Sequence, residues 1–194
     1  RAKKSLGQNF LLDEAFTDKI AESAAPFEGT VIEIGPGPGG LTRSILLMGA
    51  PELIAIEKDR RAIEFLEELN KAASPRLQIK QADALTEPVW EFGCQPRQII
   101  ANLPYNIATP LLILWLKHSN AFDKLTLMFQ KEVAERIVAQ PGESCFGRLS
   151  VLCDWLTTAK ILFEVPAYAF SPKPKVTSAV VQLMPRKSLL FDCR

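Results

Sequence analysis

Residues 30–40 read Thr-Val-Ile-Glu-Ile-Gly-Pro-Gly-Pro-Gly-Gly, and the topology of the chain follows from them. The first five residues form a β-branched run closed by glycines, which predicts a buried strand over 30–34. The glycines predict a sharp loop, and the residues from Gly40 to Met48 predict a helix. A strand, a glycine loop and a helix in this order are typical of ligand binding at one edge of a parallel sheet.

The same alternation continues on both sides of the loop. Helices are predicted over 13–24, 60–71, 109–117 and 131–139, and further strands over 53–56, 77–80, 98–101 and 124–129. These strands are continuously apolar, which indicates a parallel sheet covered on both faces. Two later strands, 158–165 and 178–184, have only a proline-rich loop between them and are expected to pair antiparallel at a sheet edge. The predicted fold class is α/β, with a seven-stranded, mostly parallel sheet and an antiparallel edge strand.

The composition excludes several classes of protein. With 194 residues, 47% of them hydrophobic and 23% charged, the chain suits one globular domain. No apolar run approaches the ~20 residues that span a bilayer, so we expect no membrane partner. The four cysteines form no CxxC pair and His118 is the single histidine, which argues against a zinc site, a disulfide framework or a Ser-His-Asp hydrolase. We therefore expect no metal and a reducing, cytoplasmic location.

Two acids follow the second and third predicted strands. Glu57 lies about 20 residues beyond the glycine loop, where an acid takes the hydroxyl pair of a ribose. Asp83 is placed to bind an adenine amino group, although it could simply cap a strand end or turn. Together they indicate an adenosine-containing ligand. Pro36 and Pro38 remove N–H donors that a diphosphate would need, so S-adenosylmethionine is favoured over a nicotinamide cofactor.

The tetrapeptide Asn102-Leu103-Pro104-Tyr105 follows the fourth predicted strand of this series and is expected to face the same ligand. The Asn102 side-chain oxygen and the Leu103 carbonyl can accept hydrogen bonds from an adenine amine, so that charge accumulates on the nitrogen. Pro104 biases Leu103 towards an extended conformation. Tyr105 offers a face on which a flipped base could stack. The alternative is an ordinary turn, with Tyr105 packed against the core.

Basic residues concentrate at the two ends of the chain. Residues 1–12 carry Arg1, Lys3 and Lys4 with no acid, and the proline-rich loop carries Lys173 and Lys175. This distribution suits a protein that touches a polyanion with its ends. Solvated, frayed termini are the alternative.

Motifs along nearly the whole chain resemble the ribosomal RNA adenine dimethyltransferase family, and most closely its bacterial small-subunit members. They are GQNFL (7–11), EIGPGPGGLT (33–42), EKD (57–59), DAL (83–85), NLPYNIATP (102–110), QKEV (130–133), GRLSV (147–151) and VPAYAFSPKPKVTSAVV (165–181). The resemblance implies a Rossmann-like class I fold that uses S-adenosylmethionine as methyl donor.

The resemblance also implies site residues. The implied cofactor-binding residues are Gln8, Asn9, Leu11, Gly35, Gly37, Glu57, Lys58, Asp83, Ala84 and Asn102. The implied catalytic residues are Asn102, Leu103, Pro104, Tyr105 and Phe170, with Phe170 flanking the target base. The implied RNA-binding residues are Lys3, Lys4, Arg148, Lys173 and Lys175.

The implied reaction is two successive N6-methylations of each of two adjacent adenines near the 3′ end of small-subunit (16S) rRNA, within an assembling subunit. The alternatives are a large-subunit rRNA adenine N6-methyltransferase of the macrolide-resistance type and a non-catalytic RNA-binding assembly factor. We expect a monomer with a cofactor- and RNA-contacting segment over 1–25, a methyltransferase core over 26–185, and the start of a linker over 186–194. The family's further helical domain is expected to be absent from this sequence.

Overall fold

The computed structural model describes residues 9–188. The strands are β1 (Phe10–Leu11), β2 (Thr30–Ile34), β3 (Glu52–Glu57), β4 (Leu77–Gln81), β5 (Arg97–Asn102), β6 (Lys124–Gln130), β7 (Thr157–Val165), β8 (Phe170–Ser171) and β9 (Ser178–Pro185). The α-helices are α1 (Glu14–Ala24), α2 (Gly40–Leu47), α3 (Arg60–Ala73), α4 (Tyr105–Leu116), α5 (Lys131–Val138) and α6 (Arg148–Leu156).

Seven strands form the main sheet in the order β4-β3-β2-β5-β6-β9-β7. The pairs from β4 to β6 are parallel, and β9 pairs antiparallel with both β6 and β7. The α/β class and the antiparallel pairing at this edge are therefore confirmed. Because β9 is antiparallel to both β6 and β7, β7 runs in the same direction as the parallel strands. The end of β7 and the start of β9 consequently lie at the same sheet edge as the carboxyl ends of β2, β3 and β5.

The strands β2, β3, β5 and β6 are buried through their centres, as predicted. The expectation of a covered, continuously apolar strand over 77–80 is wrong, because β4 forms the edge of the sheet and only its Leu77 is buried. Every residue of β2 is buried. One core cluster is built around Trp115 and Phe129, and a second around Ile20 and Ile45 from α1 and α2. Two-faced burial is the physical reason that the parallel strands read as continuous apolar runs rather than as alternating ones.

Helix starts agree with local capping chemistry, with one displacement. Asp13 caps α1 by accepting from the Ala15 N–H at 3.0 Å, as the predicted helix over 13–24 requires. Helix α4 begins at Tyr105 rather than at residue 109. Proline is common in the first turn of a helix, and Pro110 is compatible with a start at residue 109. In the structure, however, the Pro104 carbonyl accepts hydrogen bonds from the N–H groups of Ile107 and Ala108 at 3.1 and 3.2 Å, so the helix begins earlier.

Three elements were not predicted. Helix α6 begins at Arg148, where the Gly147 N–H donates to Ser150 Oγ at 3.0 Å. Strands β1 and β8 pair antiparallel as a separate two-stranded sheet, with Leu11 opposite Phe170. Two-residue strands are too short to leave a periodic pattern, so only tertiary pairing reveals them.

Within residues 9–188, no helix has the length and apolarity that crossing a bilayer demands. In that same part of the chain, no group of three or more His, Cys, Asp or Glu side chains is arranged to hold a metal ion.

Candidate active site

A cavity of about 250 Å³ lies where the carboxyl ends of β2, β3 and β5 meet. This is the edge at which open α/β sheets bind ligands. Eleven of the residues predicted to bind cofactor or to act in catalysis line it: Asn9, Leu11, Gly35, Gly37, Glu57, Lys58, Asp83, Ala84, Asn102, Leu103 and Pro104. The structure thus brings together in one cavity residues that lie far apart along the sequence.

The glycine loop needs its glycines for conformation and for space. Gly37 has φ +55°, and a Cβ there would lie 3.0 Å from the ring of Phe10. Gly39, the residue before α2, has φ +90°, and a Cβ there would lie 2.7 Å from Leu66. Side chains at these positions are both strained and crowded. The loop therefore passes tightly between β1 on one side and α3 on the other.

Glu57 is fixed at the end of β3 and is 6% exposed. Its Oε2 accepts from the Gly37 N–H at 3.3 Å, and its Oε1 accepts from the Asp59 N–H at 2.7 Å. A carboxylate has about four acceptor positions, so Glu57 retains capacity for two further donors from the cavity. Two neighbouring hydroxyl groups, such as those of a ribose, match that capacity.

Asp83 is paired with Lys58 across the mouth of the cavity. Lys58 Nζ lies 2.7 Å from Asp83 Oδ2, and the Leu85 N–H donates to Asp83 Oδ1 at 3.0 Å. The Lys58 ammonium, and then the Leu85 N–H, lower the pKa of Asp83 below its ordinary value. Asp83 is therefore an ionised acceptor near neutral pH and can receive a hydrogen bond from an amino group.

The segment 102–104 presents acceptors to the same cavity. Asn102 ends β5, and its side chain makes no hydrogen bond to any other described residue. Pro104, with φ −55° and ψ 131°, stands immediately before α4 and supplies the first carbonyl of the helical ladder. The Leu103 carbonyl, one residue earlier, lies outside that ladder. The Asn102 amide oxygen and the Leu103 carbonyl are thus two neutral acceptors that helix formation does not use.

Two predicted catalytic aromatics do not line the cavity. The Tyr105 hydroxyl lies 2.7 Å from Ser178 Oγ, at the start of β9, and partial burial raises the pKa of this phenol above its ordinary value. Phe170 is 5% exposed and packs in the core beside Leu11. Both residues nevertheless lie at the carboxyl edge of the sheet, next to the cavity.

The predicted RNA-binding residues divide into two groups. Arg148, Lys173 and Lys175 are exposed and lie outside the cavity. Lys3 and Lys4, together with the predicted cofactor residue Gln8, lie outside the described residues.

Glu33 was not among the predicted site residues, although it lines the cavity. It is 1% exposed, and neither carboxyl oxygen has a hydrogen-bond partner within residues 9–188. Burial raises the pKa of Glu33 from 4.5 to about 8, against a smaller opposing effect of the Thr42 hydroxyl. The signal that could have revealed it is an ionisable residue inside the otherwise apolar strand 30–34. A buried carboxyl without a hydrogen-bond partner is costly, so Glu33 is a candidate to bind a donor group of a ligand in the cavity.

Glu33→Gln should change how the stability of the ligand-free protein depends on pH. The folded-state pKa of Glu33, about 8, exceeds its ordinary value of 4.5, so the folded state holds the proton more tightly. Wild-type stability should fall by up to about 1.4 kcal/mol per pH unit between these two values, whereas glutamine does not titrate. In urea unfolding, the free energy of unfolding of the variant relative to that of wild type should therefore rise from pH 5 to pH 8. Parallel curves would contradict the assignment; Glu28→Gln, at an exposed position, is the control.

Comparisons with known proteins identify the family of this chain. The family described as "Ribosomal RNA adenine dimethylase" matches residues 1–193. The chain is 51% identical over 194 residues to the "Ribosomal RNA small subunit methyltransferase A" of Rhodospirillum rubrum, covering 100% of this chain and 67% of that protein.

Two solved structures have similar folds. A dimethyladenosine transferase from Plasmodium falciparum is 31% identical with a TM-score of 0.80, over 92% of this chain and 64% of that one. The 23S rRNA methyltransferase ErmE is 30% identical with a TM-score of 0.82, over 95% of this chain and 73% of that one. The resemblance read from the sequence is confirmed: this chain belongs to the ribosomal RNA adenine dimethylase family.

Proposed function

We propose that this chain transfers methyl groups from S-adenosylmethionine to N6 of adenine, and that its substrate is two adjacent adenines near the 3′ end of small-subunit rRNA. The observation that supports it most is the single cavity shared by the glycine loop, the two acids Glu57 and Asp83, and the acceptor segment 102–104. The 51% identical relative named for the small subunit supports the choice of RNA.

The cavity fits the proposed methyl donor. Glu57 would receive the ribose hydroxyls, and Asp83 the adenine amino group. The amino-acid part of the donor carries an ammonium, and Glu33 is the buried carboxyl without a partner that such a group would satisfy. Phe10 packs closely against the glycine loop, which leaves room for the narrow amino-acid part of the donor. Pro36 and Pro38 have no N–H, so the loop offers few hydrogen-bond donors to a phosphate. When bound, S-adenosylmethionine supplies an electrophilic methyl group.

The residues at the end of β5 act on the target amine. The lone pair of an adenine amine is delocalised into the ring, which makes the planar amine a poor nucleophile. The nitrogen becomes nucleophilic when it pyramidalises, because the lone pair is then localised on it. Asn102 and the Leu103 carbonyl would accept hydrogen bonds from the two N6–H groups and stabilise the positive charge that develops on the nitrogen as it takes the methyl group. The methylated amine would then lose one N6 proton to solvent. No deprotonated base is required, and after the first transfer the remaining N–H can still be held. We propose Tyr105 and Phe170 as the aromatic residues that flank the target base.

The proposal extends to partners and organisation. Exposed Arg148, Lys173 and Lys175 would meet RNA phosphates around the cavity. We propose a cofactor- and RNA-contacting segment over 1–25, the methyltransferase core over 26–185 and the start of a linker over 186–194. We also propose a monomer that works on the assembling small subunit in the cytoplasm.

A second candidate is methylation of large-subunit rRNA, because the fold matches ErmE with a TM-score of 0.82. Its identity to this chain, 30%, is well below the 51% of the small-subunit relative. The two candidates predict the same chemistry in different RNAs, so the location of the product separates them.

The test is methyl transfer from labelled S-adenosylmethionine to undermethylated small and large subunits. Mass spectrometry of the product nucleosides should show N6,N6-dimethyladenosine in the small-subunit RNA. Label only in the large-subunit RNA would favour the second candidate. Cofactor binding without transfer to either subunit would favour an RNA-binding assembly factor.

A further inference from the structure

The connection between β7 and β9, residues 166–177, lies beside the cavity. Topology places both of its ends at the carboxyl edge of the sheet. Within it, β8 pairs with β1, whose residues Phe10 and Leu11 line the cavity. At its end, Ser178 Oγ lies 2.7 Å from the Tyr105 hydroxyl. The connection is thus attached to the site on two sides.

Two large apolar side chains are exposed at this attachment. Tyr168 is 70% exposed and Leu12 is 57% exposed. Their backbones lie close together, because the Leu12 N–H donates to the carbonyl of Ala169, the residue after Tyr168, at 3.2 Å. Single exposed hydrophobic residues are ordinary on protein surfaces, whereas adjacent ones beside a binding site indicate a contact surface.

The same connection is cationic. Residues 165–188 contain no Asp or Glu. Lys173 and Lys175 are exposed, and neither forms an ion pair with another residue of the range 9–188. An exposed aromatic ring and exposed lysines on one connection are the combination by which proteins hold single-stranded nucleic acid, with the ring under a base and the lysines at the phosphates. The positive charge of this connection is complementary to RNA phosphates. It would not favour an apolar protein surface with few acidic residues.

We propose that the exposed Tyr168 ring is a stacking platform for the nucleotide next to the target adenine in single-stranded RNA. The inference rests on the proposed function. Tyr168 lies two residues from Phe170, a chain distance of at most about 7 Å, which corresponds to one or two nucleotides at about 3.4 Å per stacked base. Extruding the target adenine removes a stacking partner from its neighbour, and the Tyr168 ring replaces that partner.

Binding of an unpaired RNA oligonucleotide with 2-aminopurine beside an adenine tests the platform directly, because stacking quenches its fluorescence. Tyr168→Ala should weaken binding about 5- to 150-fold, the range for one base–aromatic stack, and should lose the quenching. Tyr168→Phe should keep both. Phe65→Ala is the matched control, since Phe65 is an aromatic residue 73% exposed on α3, which packs by β3 and β4 at the other end of the sheet.

Kinetics with undermethylated small subunits distinguish RNA positioning from damage to the cofactor site. Tyr168→Ala should raise KM for the subunits and leave KM for S-adenosylmethionine within about twofold of wild type. The proposed stacking role of Tyr168 would be overturned if Tyr168→Ala kept the affinity and quenching of the wild-type protein. It would also be overturned if the wild-type protein did not bind the oligonucleotide. Quenching that depends on Tyr168 without methyl transfer to the subunits would support the platform and refute the proposed function instead.

Discussion

Asn102→Ala should reduce the rate of methyl transfer by about 10²–10³-fold, the range observed when one preorganised polar group is removed from an active site. Asn102 ends β5 in the shared cavity, and its side chain has no hydrogen-bond partner among the described residues. Its removal should therefore cost little stability while eliminating an acceptor for the target N6–H. Single-turnover transfer with saturating S-adenosylmethionine measures the effect on the chemical step.

The control for this variant is Asn120→Ala, because Asn120 is an exposed amide beyond the far end of α4. Isothermal titration should give Asn102→Ala a Kd for S-adenosylmethionine within a few-fold of wild type. An unchanged single-turnover rate would show that Asn102 is not the acceptor. A loss of cofactor binding equal to the loss of rate would assign Asn102 to the cofactor rather than to the target amine.

Glu57→Ala should weaken binding of S-adenosylmethionine by about 10²–10⁴-fold, since each of two hydrogen bonds to a carboxyl side chain contributes about 1.5–3 kcal/mol. The variant also releases the Gly37 N–H and the Asp59 N–H, which Glu57 holds at 3.3 and 2.7 Å. Loop order and ligand contact are therefore lost together. Glu57→Gln keeps one acceptor oxygen and should have an intermediate affinity.

Calorimetric titration measures the affinity, and thermal unfolding without ligand reports whether the fold survives. Glu64→Ala, on the exposed face of α3, is the charge-matched control and should bind as wild type does. A Kd for Glu57→Ala equal to that of Glu64→Ala would remove Glu57 from the cofactor site.

The centre of the sheet could be predicted because β2, β3, β5 and β6 are buried on both faces. Strand 30–34 has the predicted bounds, and the predicted strands 53–56 and 98–101 are each extended by one residue at either end in β3 and β5. Continuous apolar runs report this burial locally. Helix α4 begins four residues before the predicted start at 109, and only the hydrogen bonds from the Ile107 and Ala108 N–H groups to the Pro104 carbonyl in the folded chain show this.

The candidate site was predictable where its geometry follows from topology. Strand ends in a parallel sheet converge at one edge, so residues that follow β2, β3 and β5 meet there without further information. Glu33 was missed because its side chain direction and its lack of a partner are properties of the packed sheet. Its pKa of about 8 arises from burial, which a sequence pattern does not quantify.

Local sequence alone determined the strand-loop-helix unit, the alternating α/β order and the acids at the strand ends, because each depends on periodicity or on the conformation of a few consecutive residues. Tertiary structure decided the pairing of β1 with β8, the insertion of β9 between β6 and β7, and the exposure of Tyr168 beside Leu12. The pairing of β1 with β8, for example, joins Leu11 to Phe170, which lie more than 150 positions apart in the sequence. Their free energy comes from contacts between distant segments, which no local pattern contains.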